Sequence, residues 1–142
     1  MECEFPTENS SDEEIKKLLK ESKNIAVLGL SPDPSKASHR VSAYMQEQGY
    51  KIFPVYPKED TILGEKVYRT LDEIPEKIDI VNMFRKASVA TSVVENMKSI
   101  DGIKAIWLQL GIVNNEACED AKKAGFQVIQ NKCIMIEHRN NF

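Results

Sequence analysis

The sequence predicts an α/β fold: a doubly wound, mainly parallel five-stranded sheet with helices on both faces, in a single domain. Three observations carry this. Five apolar runs rich in Ile and Val recur roughly every 25 residues, as expected for strands buried on both faces. Helical patterns fill the intervals. Gly49, Gly102 and Gly125, three of the six glycines, each stand just before a run, where a helix end needs a left-handed residue. At 142 residues, 42% hydrophobic and 29% charged, the chain has material for one core and too little for two ordinary domains.

In chain order, residues 1–11 are polar and aperiodic and read as a flexible arm, with the domain proper spanning 12–142. In "SDEEIKKLLKES", Ser11 and Glu14 have capping-box spacing, and Ile15, Leu18 and Leu19 fall on one helical face. The first strand is "NIAVLGL" (24–30), followed by the helix "SHRVSAYMQEQ". The second run, "KIFPVY" (51–56), contains Pro54, which cannot donate to a central ladder; the strand lies near an edge or finishes at Phe53. "TLDEI" opens with Thr70 and Glu73 in capping-box spacing and reads as helical. The third strand is "IDIVNMF" (78–84), then the helix "ASVATSVVENMKSI", the strand "IKAIWLQL" (103–110), the helix "NNEACEDAKKA" and the last strand "FQVIQN" (126–131). The pattern is Rossmann-like. Open sheets of this kind take ligands at the carboxyl ends of the strands where strand order reverses, which directs attention to the loops after Leu30, Tyr56 and Phe84.

Composition narrows the function. No apolar run is long enough to span a bilayer, and "MECEFPTENSSDEE" lacks the features of a secretory signal, so a cytoplasmic protein is expected. Cys3, Cys118 and Cys133 form no paired framework and no C-x-x-C motif, which suits reduced thiols, and no zinc pattern is present. A formal net charge of −3 argues against general nucleic-acid binding. Any anion site must then be a local cluster of cations.

Such a cluster is present in the three loops: Lys36 and Arg40, with His39, after the first strand; Lys58 after the second; Arg85 and Lys86 after the third. The first loop, "GLSPDPSKASHR", adds Gly29, the hydroxyls of Ser31 and Ser38, and the start of a helix, whose free N–H groups and dipole attract anions. Pro32 and Pro34 stiffen it where a dinucleotide motif would carry glycines. A Pro/Ser-rich turn with solvated charges has the same spacing. In the second loop, "PVYPKED" puts Tyr56, Pro57 and Lys58 where NAD sites carry a ribose-binding carboxylate, with Glu59 and Asp60 one or two residues late. This disfavours NAD and suits a ligand with an extra phosphate, such as NADP or coenzyme A.

No catalytic constellation is assembled. His39 and His138 lie far apart, with no G-x-S-x-G or H-E-x-x-H. His138, Cys118 and Trp107 read as structural or core residues, Cys133 as a buried small residue or a reactive thiol, and Gln109 as a strand-end residue within reach of a ligand.

The segments "AVLGLSPDPSKASHRV", "IFPVYPKE", "ILGEKVYRTLDEIPEKIDIVNMFR", "AIWLQLGIVNNEA" and "NKCIMIEH", in this order and spacing, resemble the single-domain CoA-binding protein family, whose fold is similar to the N-terminal domain of the succinyl-CoA synthetase alpha chain. The resemblance covers roughly residues 12–139. It implies that Gly29, Ser31, Lys36 and Arg40 meet the phosphates of the ADP moiety of coenzyme A or an acyl-CoA, and that Lys58 meets the phosphate region from the second strand. Met83, Phe84 and Arg85 would border the adenine, with Gln109 and Gly111 lining the same edge. The synthetase also needs a phosphorylated histidine on a second domain and a nucleotide-grasp partner chain. Neither is found in these residues, so no ligase activity is carried over. The expectation is a CoA-binding module without catalysis of its own and with an unknown protein partner. The alternatives are a small NADP-dependent oxidoreductase or redox sensor, and one subunit of a split acyl-CoA synthetase.

Overall fold

The computed structural model describes residues 5–142, so Cys3 lies outside the described residues. Seven strands and five helices follow in the order α1 (Asp12–Glu21), β1 (Asn24–Leu28), α2 (Ala37–Glu47), β2 (Lys51–Val55), β3 (Thr61–Ile62), β4 (Glu65–Lys66), β5 (Ile80–Met83), α3 (Ala90–Lys98), β6 (Ala105–Leu108), α4 (Asn115–Lys123), β7 (Gln127–Ile129) and α5 (Ile134–Asn141). Five strands form one parallel sheet in the order β2-β1-β5-β6-β7, and β3 and β4 make a small antiparallel hairpin. Strand order therefore reverses between β1 and β5.

The sheet is buried on both sides, which is why its strands read as near-continuous apolar runs. Ile25 and Val27 of β1 join Ile15, Leu18 and Leu19 of α1, Val41 and Met45 of α2 and Ile134 of α5 in one core layer. Ala26 and Leu28 face the other way, into a layer with Val93, Val94 and Met97 of α3 and Cys118 and Ala121 of α4.

The anticipated elements are present, each a little shorter than its apolar pattern. β2 is an edge strand of the main sheet and continues through Pro54 to Val55. The Pro54 carbonyl accepts from the Tyr68 N–H at 2.9 Å on the outer side, so the ring nitrogen also faces away from β1 and no ladder bond is lost. Expected as a helix, "TLDEI" is only a three-residue 3-10 turn, Leu71–Glu73, although Thr70 and Glu73 do form their capping box. Pro75 stops it by forcing Ile74 into an extended conformation (φ −71°, ψ 121°).

Two elements were not anticipated. The β3–β4 hairpin turns at Leu63 and Gly64, both with positive φ. Helix α5 follows β7 and packs on the α1 and α2 side of the sheet. The stretch expected as an arm is tied to the body from Phe5 onward: the Phe5 carbonyl accepts from Asn115 Nδ2 at 2.6 Å, Ser10 Oγ donates to the Val128 carbonyl at 2.8 Å, and the Asn9 side chain bonds both the N–H and C=O of Gln130. These contacts cover the outer edge of β7.

Candidate functional site

The strand reversal opens at the carboxyl ends of β1 and β5, the place where doubly wound sheets take ligands. β1 is followed directly by Gly29, with φ +83°. A Cβ there would lie 2.6 Å from the Phe84 carbonyl oxygen and 2.9 Å from Arg85 Cδ. Gly29 thus admits the loop after β5, and the stem of Arg85, against the end of β1.

The loop from Leu30 to α2 is braced by its own polar groups. The Ser31 N–H donates to Ser38 Oγ at 3.0 Å, the Asp33 N–H donates to Ser31 Oγ at 3.1 Å, and Asp33 Oδ1 accepts from the Ser35 N–H and hydroxyl. Those last bonds, the backbone one foremost, hold the Asp33 carboxyl below the usual carboxylate range. His39 Nδ1 lies 3.0 Å from the Ser31 carbonyl, to which it donates. Arg40 Nη1 donates to the Ser35 carbonyl.

Helix α2 begins without a side-chain cap. Lys36 occupies the N-cap position, and the first turn holds no acidic residue while His39 and Arg40 follow closely. Cations are unfavourable beside the positive end of a helix dipole, and although the His39 N–H reaches the Lys36 carbonyl at 3.1 Å, no side chain caps the first turn. This arrangement is complementary to a bound anion.

Beside it, on the α3 side of the sheet, a cavity of about 190 Å³ is lined by Leu28, Val55, Tyr56, Pro57, Arg69, Thr70, Leu71, Arg85, Val93 and Asn96. Arg69 was not among the residues singled out from sequence. It reaches the end of β2 because the β3–β4 hairpin returns the chain to Tyr68, which bridges Val55. Its Nη1 donates to the carbonyls of Tyr56 (3.0 Å) and Lys58 (2.8 Å).

The sequence-derived candidates thus fall into four groups. Ser31, Lys36, Ser38 and Arg40 gather at the start of α2, although the Ser38 side chain is buried and engaged with Ser31. Gly29 and Arg85 meet at the strand reversal, and Phe84, half-buried, donates its N–H to the Leu28 carbonyl at 2.8 Å. Lys58 is exposed at the neighbouring turn but does not line the cavity.

The remaining three are set apart. Met83 is fully buried in the core. Gln109 is also buried, its Nε2 donating to Asn82 Oδ1 at 2.6 Å, and the Gly111 N–H donates to Asn131 Oδ1 at 2.7 Å. Both follow β6, two strands from β1 and hence about 10 Å away.

Among the described residues, no carboxylate lies within ion-pair distance of Lys36, Arg40, Lys58, Arg69 or Arg85, whereas Lys51, Lys98, Lys104 and Lys122 all have acidic partners elsewhere. No group of three metal-ligating side chains is found among them either, and no helix is long and apolar enough to cross a membrane. Cys133 sits half-buried at the start of α5, and Cys118 is buried in α4.

Residues 23–139 match the CoA binding domain family. The chain belongs to that family. The Bacillus subtilis protein YneT is 44% identical over 131 residues, covering 92% of this chain and 96% of its own length. The alpha subunit of the ADP-forming acetate–CoA ligase II of Pyrococcus furiosus is 32% identical over 130 residues, covering 83% of this chain but 28% of that subunit. Among solved structures, a hypothetical protein from Pyrococcus horikoshii superposes with a TM-score of 0.88 at 36% identity, covering 99% of this chain and 98% of that one. As a member of the CoA-binding domain family, the chain has single-domain relatives of its own length and also corresponds to about a quarter of a ligase subunit.

Proposed function

We propose that this protein is a cytoplasmic CoA-binding module without catalysis of its own. The diphosphate would lie at the first turn of α2, between Lys36 and Arg40, with Ser31 and the Gly29 turn beside it. One observation carries the reading: in a chain of the CoA-binding domain family, the helix that starts at the strand reversal is uncapped, free of acid in its first turn, and flanked by cations without ion-pair partners. A bound diphosphate would answer both the helix dipole and the basic side chains.

Thermal denaturation of the purified protein with CoA, NAD and NADP at equal concentration tests it. A ligand that binds only the folded state, at a hundred times its dissociation constant, adds about 2.7 kcal/mol of stability. Stabilisation by CoA above the other two is expected. A shift with NADP and none with CoA would replace CoA by NADP as the ligand.

The kinship with ADP-forming ligase subunits also supports a narrower role, as the CoA-holding part of a larger acyl-CoA-forming assembly. Co-purification of the tagged protein with a nucleotide-grasp chain would favour that role, and its isolation as a single species would favour an independent module.

A further inference from the structure

The loop after β5, which carries Arg85 to the candidate ligand site, is held at two points. On one side the Phe84 N–H donates to the Leu28 carbonyl at 2.8 Å, beside the close approach at Gly29. On the other, Asn114 Nδ2 donates to the Ala87 carbonyl at 2.9 Å, while Asn114 Oδ1 caps α4 by accepting from the Ala117 N–H at 3.0 Å. Asn114 is in turn held by Gln130, whose Oε1 accepts from the Asn114 N–H at 3.0 Å.

Gln130 directly follows β7, is fully buried, and is bonded to the segment that precedes α1. Its Nε2 donates to the Glu8 carbonyl at 2.8 Å, its N–H donates to Asn9 Oδ1 at 3.1 Å, and its carbonyl accepts from Asn9 Nδ2 at 2.9 Å. A buried amide that loses such partners carries the cost of the unpaired groups, so its placement depends on theirs. None of residues 5–11 is itself buried, and Phe5 is 79% exposed. The segment is thus a strap fastened chiefly by polar contacts, the Lys122–Glu8 ion pair at 2.8 Å among them. Segments with few buried apolar contacts open locally before the fold as a whole does.

We propose that the strap, residues 5–11, is a detachable positioning element for the ligand site, acting through Gln130 and Asn114 on the loop that carries Arg85. Attached, it fixes Gln130, which fixes Asn114, which holds the Ala87 carbonyl two residues beyond Arg85. Detached, it leaves the loop anchored at β1 alone. The element with two states is the strap, and both the loop and a ligand bound there bias it. Resting on the CoA reading, this makes the strap a regulator of CoA affinity, and by linkage bound CoA holds the strap down by the same factor.

Amide hydrogen exchange of the whole chain without ligand tests the connection in Asn114→Asp, Asn9→Ala and the double variant. Aspartate keeps the α4 cap, because its carboxylate still accepts from the Ala117 N–H, but it cannot donate to the Ala87 carbonyl. The Val89 N–H, bonded to the Lys86 carbonyl at 2.9 Å, is expected to exchange about threefold to tenfold faster in Asn114→Asp, the worth of one hydrogen bond, with Ala117 and the β1 amides unchanged. Asn9→Ala should speed Val89 in the same direction and add nothing further in the double variant. Calorimetry should show CoA affinity falling by about the same factor in each single variant. Unaltered Val89 exchange in Asn114→Asp, effects of the two substitutions that simply add, or faster exchange at Val89, Ala117 and β1 together would overturn the connection. Coupled exchange with CoA bound equally tightly by every variant would overturn the strap's role at the site. A wild type that binds no CoA but shows the coupled exchange would discard the CoA reading and uphold the link between strap and loop.

Discussion

Helices α1 and α2 start from the same backbone and opposite chemistry. Their N-cap residues are both extended, Ser11 at φ −71°, ψ 163° and Lys36 at φ −84°, ψ 145°. Helix α1 then follows every stabilising rule: the Ser11 hydroxyl accepts from the Glu14 N–H, Glu14 accepts from the Ser11 N–H, and Asp12, Glu13 and Glu14 face the positive end of the dipole. The backbone bond from Ser11 also holds the Glu14 carboxyl below its ordinary range. Helix α2 has no side-chain cap: Lys36 stands at the N-cap where α1 has Ser11, Ala37, Ser38 and His39 stand where α1 has its three acids, and Arg40 follows. One end carries the groups that hold a helix start together; the other lacks them and carries basic side chains instead.

The largest effect should come from Gly29→Ala, where the loop carrying Arg85 seats against the end of β1 just before α2. The left-handed backbone and the contact with the Phe84 carbonyl together are expected to cost about 2–5 kcal/mol, read from the urea midpoint. An unchanged midpoint would mean that this close approach is not constraining.

Next in size is Lys36→Asp, which turns the start of α2 into that of α1. The free protein should gain about 0.5–1 kcal/mol, as a good N-cap replaces a poor one. CoA affinity should fall roughly tenfold to a hundredfold, with a cation lost and an anion gained beside the diphosphate. Thermal denaturation without ligand and calorimetry with it read the two quantities separately. If stability rose and affinity held, the uncapped start would not be a phosphate site.

The mirror change is smaller. Ser11→Ala should lower stability by about 1 kcal/mol and leave CoA affinity unchanged, because α1 starts at the far edge of the sheet. A fall in affinity would tie the two helix starts together and remove the contrast between them.

The two helix starts also differ in how far they could be read from the sequence. Ser11 and Glu14 announce a capping box by spacing alone, and the five strands announce themselves because burial on both faces makes them continuous apolar runs. The cations after β1 and β5 were legible because the fold class dictates which loops meet. Arg69 was not, since it belongs to no strand-end loop of the main sheet. It arrives through a hairpin of two-residue strands whose sequence signal is the Leu63–Gly64 turn in "ILGEK". Helix α5 was missed for a related reason: "IMIEHRNN" buries only Ile134 and His138, too few apolar positions to display a helical period.

His138 gives the finest contrast, because it sits in the last turn of α5, where a helix dipole would favour an imidazolium. Burial opposes this and lowers its pKa below the ordinary value. The groups around the ring are Tyr50, Phe142 and Tyr44, whose hydroxyl lies 2.9 Å from Nδ1, and none of them compensates a positive charge. The folded state therefore binds the proton less readily than the unfolded chain. Stability should be level above the ordinary histidine pKa of about 6.5 and fall as the pH drops below it toward the folded value. The depressed carboxylates of Glu14, Asp33, Asp79 and Asp120 act at lower pH, so they leave this window to histidine. Urea midpoints between pH 5 and 8 should show a shallow slope in the wild type and a flatter one in His138→Gln, which keeps a partner for Tyr44 without the titration. An equal slope in both proteins would show that His138 does not carry the pH dependence.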